Sequence, residues 1–540
     1  MPTSAYRIWF PVVFVGLTAL GATLWRTDPR VARLWANTAL LAAGAAMVAV
    51  PLGTLAALAV FKTDAPGRRV ALLLFTGMLF APLYVVAGAW DAGFGIQGWH
   101  TLATNPHLAH QPWLDGWRAA IWVHALAAVP WVALIVGAGL RSGDAEIEED
   151  AATCATPLQV IWHITLRRAA PALMVASVWV GIVATIEISV TDFFQVRTFA
   201  EEVYIQAALG TFGLIDPAAS ETTQPFSAAG LWIGLALWAI LAGTAIGLAG
   251  RWFSQLTDAP HRAPWIWQLG AMRWPAAIAL GSIMLLVAGV PLANFLYKAG
   301  VLVTATSQGH VRSWSAAKVV ERLFAAPVEF SGELWLSAGI GAMAATAALA
   351  IALPLAWSMR LARGIPYLRM FGLALCLTIP GPVLGLATIH LLNRPPDSPF
   401  ASLAVLYDSN FAPWLVQTIR ALPLVALTMW PALASVPQPM LDAAATEGAG
   451  RWRQLWHIAL PQRWLAVVAA WLVGFAVAVG ELAATVLVLP PQTSTAISVR
   501  VFQMLHYGVD DRLAAICLVM IAAIAALTGI AVALLRRKLV

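Results

Sequence analysis

The chain has 540 residues, of which 60% are hydrophobic and only 11% charged, and a mean hydropathy of +0.78. A soluble domain of that length carries far more surface charge, so the composition excludes one and points to membrane helices, whose backbone polar groups are satisfied internally. The net charge of +6 then reflects Lys and Arg held on the cytoplasmic side and not a nucleic-acid surface, while Cys154, Cys376 and Cys517 lack metal-like or disulfide-like spacing and read as small apolar fillers.

Windows of roughly 20 apolar residues give about twelve candidate spans. They lie near 9–25, 35–61, 70–90, 119–140, 171–190 and 228–250, then near 274–297, 333–357, 367–392, 413–436, 465–485 and 513–535. Met1 to Trp25 could imitate a signal peptide, but fits equally well as a first span in a chain that continues as membrane protein. With the N-terminus taken as cytoplasmic, the inner segments hold most of the basic residues, among them Lys62, Arg68, Arg69, Arg141, Arg360, Arg451 and Arg536-Arg537-Lys538, as the positive-inside rule expects. Arg26, Arg30 and Arg33 fall outside and run against it. Pro51, Pro82, Pro130, Pro354, Pro380, Pro382 and Pro423 sit within spans, where they kink or break a helix or are ordinary membrane-helix prolines.

The first inner segment of note, 141–170, contains Asp150-Ala151-Ala152, then Thr156-Pro157 as N-cap and first helical residue, then Trp162-His163-Ile164. In the span after it, Glu187 lies roughly 24 Å deep at helical rise. The polar stretch 251–273, with Pro260 and Pro264, reads as a cytoplasmic linker joining a first unit, 1–250, to a second, 274–540. Trp162-His163-Ile164 recurs as Trp456-His457-Ile458, 294 residues on, and Glu187 and Thr191 recur at the same offset as Glu481 and Thr485. Six spans per half is an even number, so both halves point the same way: a parallel repeat, with a pathway expected where the halves meet.

The second inner segment, 437–464, opens with Pro437 and Pro439. Leu441 to Glu447 favours helix, Gly448 can take the left-handed turn that ends one, and Trp452, Leu455, Trp456 and Ala459 recur at helical spacing on one expected face before Pro461. Two short helices at an angle on the inner membrane face make a knob for a groove in another protein. The other reading of both segments is an amphipathic surface helix without a partner. Arg420 enters from the outer side to a depth similar to that of Glu187 and Glu481. The three either line the mouth of a pathway or hold helices together, Arg420 pairing with Glu481.

Asp442-Ala443-Ala444, Gly448 and Ile458-x-Leu460-Pro461 resemble, in spacing and context, the coupling loop of binding-protein-dependent ABC importers. The first copy departs from that pattern: it lacks the glycine, about two residues are missing before Trp162, and Arg167 stands where the pattern has proline. Glu481-Leu-Ala-Ala-Thr485, Pro490-Pro491, Val499-Arg500-Val501-Phe502 and His506-Tyr507-Gly508 resemble the C-terminal end of ferric-iron-type permeases, as does Glu187 to Asp192 with Arg197-Thr198-Phe199 and Glu201-Glu202-Val203-Tyr204 in the first half. Such permeases, like the related thiamine permeases, are often two fused halves.

The resemblance implies an all-α integral membrane protein of the type I ABC importer permease fold, with about twelve transmembrane helices as two parallel six-helix repeats and both termini cytoplasmic, in a bacterial inner membrane. It implies docking on an ATP-binding subunit, expected as a homodimer, through Asp442, Ala443, Ala444, Gly448, Trp452, Trp456, Ile458, Leu460 and Pro461, and through the degenerate copy Asp150, Ala151, Ala152, Trp162, Ile164 and Leu166. It also implies a periplasmic solute-binding protein on the outer loops, of which 298–332 and 191–227 are the longest. The chain has no phosphate loop and no Gly-Lys pair. It is therefore expected to be no enzyme and to bind no cofactor or metal, with ATP held by the partner. Ferric iron is the leading substrate, with thiamine, a phosphonate or a polyamine as alternatives. A twelve-span secondary carrier is the reading from another class, but it has no use for the Asp442–Pro461 pattern.

Overall fold

The computed structural model describes residues 26, 28–104, 112–142, 145–209, 234–236, 243, 265–306, 309–361, 366–490 and 495–536. Six of its helices are long and apolar enough to cross a membrane, and up to ten spans result if each sharply bent helix pair is one. The expected spans at 9–25 and 228–250, and the linker up to residue 264, lie outside the described residues, apart from 234–236 and 243. The other expected spans each meet one of these helices or pairs.

In the first half, α1 (Pro29–Lys62), α4 (Gly116–Arg141) and α7 (Ala170–Ile186) pack together. Their contact faces are built from Ala45, Ala49, Ala56, Ala57, Ala125, Ala128 and Ala133. Small residues let membrane helices approach closely where water supplies no drive to associate them; a Cβ on Gly53 would lie 2.5 Å from Val132. The second half repeats the trio with α12 (Ser331–Leu361), α15 (Phe411–Ala434) and α18 (Trp464–Gly480), packed through Ala348, Ala352, Ala421 and Ala426. Between the trios, α10 (Gly270–Gly300) lies on the first half and α21 (Asp511–Arg536) packs against both.

Two expected spans, 70–90 and 367–392, are not single rods. The first is α2 (Arg68–Met78) and α3 (Leu83–Phe94), the latter opening a helical run to Thr104, bent by 111°. The second is α13 (Pro366–Thr378) and α14 (Gly381–Leu392), bent by 98°. Pro82 and Pro380 stand at the N-caps of α3 and α14, with extended ψ that a helix cannot continue. Pro51, Pro130, Pro354 and Pro423 instead lie inside continuous helices. The spans expected at 171–190 and 465–485 stop at Ile186 and Gly480, because Glu187 and Glu481 take extended backbone.

The all-helical expectation has one correction. Val301–Thr306 (β1) and Gly309–Trp314 (β2) pair antiparallel, Val301 opposite Trp314 and Thr306 opposite Gly309. The β-branched residues Val301, Val303, Thr304 and Thr306 suit a strand better than a helix. The amphipathic helix α11 (Ala316–Glu329) follows.

Candidate coupling and translocation sites

The two inner segments stand at the ends of α4 and α15. In the second, α16 (Gln438–Thr446) ends at Gly448, whose φ of +80° lets Ala449 N–H reach back to Ala444 O at 2.9 Å. Helix α17 (Arg451–Gln462) follows and turns by 85° into α18. A polar clasp fixes this unit to the bundle. Arg360 donates to the carbonyls of Leu433, Ala434 and Val436, Arg463 to Ser435 O, and Gln454 to Leu441 O and Ala449 O. Buried Leu441, Leu455 and Ala459 form its apolar base.

The expected four-residue face of α17 splits in two. Leu455 and Ala459 are buried, whereas Trp452 and Trp456 are more than half exposed. The two pairs lie at opposite edges of one helical stripe, and a π turn, Leu455–Ala459, falls within it. The other predicted residues of the unit surround the exposed pair: Asp442 and Ala443 are exposed, Ala444, Ile458 and Leu460 are half-buried and Pro461 is exposed. Asp442 accepts from Gln438 at 2.8 Å.

The first unit is built alike. Helix α5 (Ala145–Ala152) precedes α6 (Pro157–Arg168), which contains its own π turn, Ile161–Thr165, and bends by 66° into α7. The bounds of α6, its π turn and α7 recur 294 residues on in α17, its π turn and α18. Thr156 and Pro157 start α6 as expected, and Gln159 accepts from Thr156 N–H at 3.0 Å. The shortfall in the connecting turn is one residue: Ala155 N–H bonds Ala151 O, four back, where Ala449 bonds Ala444, five back. By these bonds Ala151 matches Ala444, so Glu149, not Asp150, stands at the place of Asp442. Asp150, Trp162 and Leu158 are exposed, while Ala151, Ala152, Ile164 and Leu166 are half-buried.

By the same correspondence Glu148 replaces the buried Leu441. It takes Lys62 Nζ at 2.6 Å and Thr165 Oγ1 at 3.0 Å, all three side chains being buried. Nothing in the sequence isolates this triad, since Glu148 sits in an acidic run and Lys62 reads as an orienting charge. The inter-half segment docks beside it: Trp267 N–H donates to Lys62 O at 2.8 Å and Leu269 N–H to Asp64 Oδ1 at 2.9 Å.

The intramembrane acids also match each other. Glu187 accepts from Ser189 Oγ at 2.6 Å and Val190 N–H at 3.1 Å, at the start of α8 (Ser189–Phe193). Glu481 accepts from Ala484 and Thr485 N–H at 2.8 and 2.9 Å and from Thr485 Oγ1, at the start of α19 (Thr485–Val488). Each carboxylate thus caps a short helix after its span. Ile188, beside the first, packs on Ala483, beside the second, so the two breaks meet between the halves. Arg420 is within electrostatic reach of both acids but makes no ion pair among the described residues.

Residues 337–540 match the family model described as "Binding-protein-dependent transport system inner membrane component". Curated proteins gave no match. The matched part includes the whole of α16 and α17, α18, Glu481 and Arg420. Over that stretch the chain is similar to membrane components of binding-protein-dependent transport systems, in keeping with helices long and apolar enough to cross a membrane. That family implies, in general terms, an ABC ATPase and a solute-binding protein as partners.

Proposed function

We propose that the chain carries both halves of the pathway of an ATP-driven importer, fused in one polypeptide, and that its leading substrate is ferric iron. The observation that carries the importer reading is the clasped pair α16–α17: a rigid knob presenting Trp452 and Trp456 to solvent, with a matching unit 294 residues earlier. Exposed large aromatics over a fixed polar base suit a docking surface better than a lipid-facing or idle one. Closure of two ATPase subunits on ATP would draw the two units together and rock the halves from inward- to outward-facing, so that binding energy shifts a two-state equilibrium. The iron reading rests on the runs around Glu187–Asp192 and Glu481–Tyr507.

The test is uptake of labelled ferric iron in cells with and without the chain. Loss on deletion, restored by the wild type but not by Gly448→Pro, supports both substrate and coupling. Unchanged uptake on deletion removes iron, and labelled thiamine follows. Normal uptake with Gly448→Pro, where φ is +80° and proline demands about −65°, removes the coupling unit.

A further inference from the structure

Where the helices break, charge is distributed unevenly. Both carboxylates are satisfied, Glu187 by one N–H and one O–H and Glu481 by two N–H and one O–H. Arg420 is not. Its side chain is nine-tenths buried, Nη1 has no acceptor, and no described residue accepts from any of its donors. Gln417, one turn earlier on the same face of α15, is buried with Oε1 unpaired, and Tyr84, on α3 of the first half, is buried with its hydroxyl unpaired. His124 Nε2 on α4 is likewise unpaired. Buried polar atoms are nearly always hydrogen-bonded, and Tyr84 and Arg420 share Glu187 and Glu481 as electrostatic neighbours, so their open groups call for a partner there.

The surroundings indicate what that is. Along α15, Arg420 shares a stripe with Pro423 and Leu427, which line a cavity together with Met370, Leu373 and Leu377 of α13. Leu377 in turn packs on Ile182 of α7, so the cavity borders the meeting of the halves. Val416, on the same helix, packs on Ala484 beside the Glu481 break. Glu481 and Glu187 lie within electrostatic reach of the guanidinium, but its Nη1 is left without an acceptor, and a buried charged donor with an unmade hydrogen bond at membrane depth is costly. Its planar fork of donors matches a carboxylate or phosphate two bonds at a time.

We propose that the translocated solute carries an oxyanion group, carboxylate or phosphate, and that Arg420 holds it at the helix breaks, with Gln417 and Tyr84 as neutral partners. This rests on the reading of the chain as a permease. A metal ion using this path crosses together with anionic chelating groups.

The test is thermal unfolding of the purified full-length chain in lipid nanodiscs with citrate, ferric citrate or inorganic phosphate, against chloride at equal ionic strength. At least one oxyanion should raise the wild-type Tm. Arg420→Gln should weaken that binding roughly tenfold to a hundredfold, as loss of a charged hydrogen bond does, while Arg420→Lys retains part of it and the unliganded Tm of Arg420→Gln does not fall. The proposal is overturned if no oxyanion shifts the wild type, if Arg420→Gln is shifted equally, or if Arg420→Gln unfolds several degrees lower without ligand and Arg420→Lys restores it, which would make the residue structural. The readout needs neither ATPase nor uptake, so its failure is separate from that of Gly448→Pro.

Discussion

Lys62 Nζ and Glu148 Oε2 lie 2.6 Å apart, both side chains almost wholly buried, at the point where the first inner helix pair joins the bundle. In the second half the corresponding anchor is Leu441, and Ala459 stands in the place of Thr165. The same joint is thus made once with charge and once with hydrocarbon. A buried pair recovers its desolvation cost only while both members are present. Lys62→Met or Glu148→Gln alone should therefore destabilise the chain by about 3–5 kcal/mol, whereas the double change Lys62→Met with Glu148→Leu should come within about 1 kcal/mol of the wild type. Thermal unfolding of the three variants measures it. Equal losses in the single and double variants would mean that the pair is not the anchor.

Gly448 is the one residue of the second unit whose backbone demands glycine. Its φ is +80°, and a Cβ there would meet no atom within 4 Å, so the cost of a side chain is conformational and not steric. Gly448→Ala should cost about 1–2 kcal/mol, all of it local to the turn. Hydrogen exchange at Ala449 N–H, which bonds back to Ala444 O, should speed by roughly tenfold while the core of α15 stays protected. Unchanged exchange would show that the turn tolerates the substitution.

A second link between the halves is sensitive to pH. His506 Nε2 and Asp192 Oδ2 are 3.0 Å apart across 314 positions of sequence. The hydrogen bond to Asp192 holds the imidazole above its ordinary value, against a smaller opposing effect of burial. A group with a raised folded value stabilises fully below its unfolded value, about 6.5, and that contribution disappears as pH rises through the folded one. Nearby Glu201 is pushed up to about 7, first by burial, with Arg197 opposing and Asp192 and Glu202 adding to the rise. Below that value it is neutral in the folded chain, so it too costs stability as pH climbs from its unfolded value toward 7. The Tm should fall as pH rises from about 4.3 toward 7 through Glu201 and further above about 6.5 through His506, so Glu201→Gln should flatten the lower part of that fall and His506→Gln the upper. A profile unaltered by His506→Gln would remove the link.

Each span expected on described residues meets a long apolar helix or a bent helix pair, because the lipid requirement for long apolar runs leaves its mark on composition. Hydropathy could not give direction: 70–90 is apolar throughout, yet the chain turns by 111° between Met78 and Leu83, and Pro82 was the only local sign. Thr156-Pro157 was legible because an N-cap and a first-turn proline act within a few residues. The Lys62–Glu148 pair was not, since its members are 86 positions apart and each has a plain reading on its own. Arg420 shows the same limit. Depth and charge suggested pairing with Glu481, but the backbone after Glu481 turns its own N–H groups onto that carboxylate. The π turns at Ile161–Thr165 and Leu455–Ala459 likewise have no signature in an apolar pattern read at 3.6 residues per turn.

The split face of α17 separates docking from folding by experiment. Trp452 and Trp456 are 59% and 57% exposed, while Leu455 is fully buried against the base of the unit. Truncating an exposed side chain away from caps and strained backbone usually shifts stability by no more than about 0.5 kcal/mol, and truncating a buried leucine costs about 2–5 kcal/mol. If the tryptophans are the surface that meets the ATPase, Trp452→Ala with Trp456→Ala should leave the Tm within a degree or two yet lower ATP-driven uptake by an order of magnitude or more, since central aromatics carry a large share of interface energy. Leu455→Ala should do the reverse in the first instance, lowering the Tm, with uptake falling only in proportion to the folded protein left. Uptake and unfolding measured on the same preparations distinguish the two. If the double tryptophan variant transported normally, the exposed face would not be the docking surface, and the partner would have to engage α16 instead.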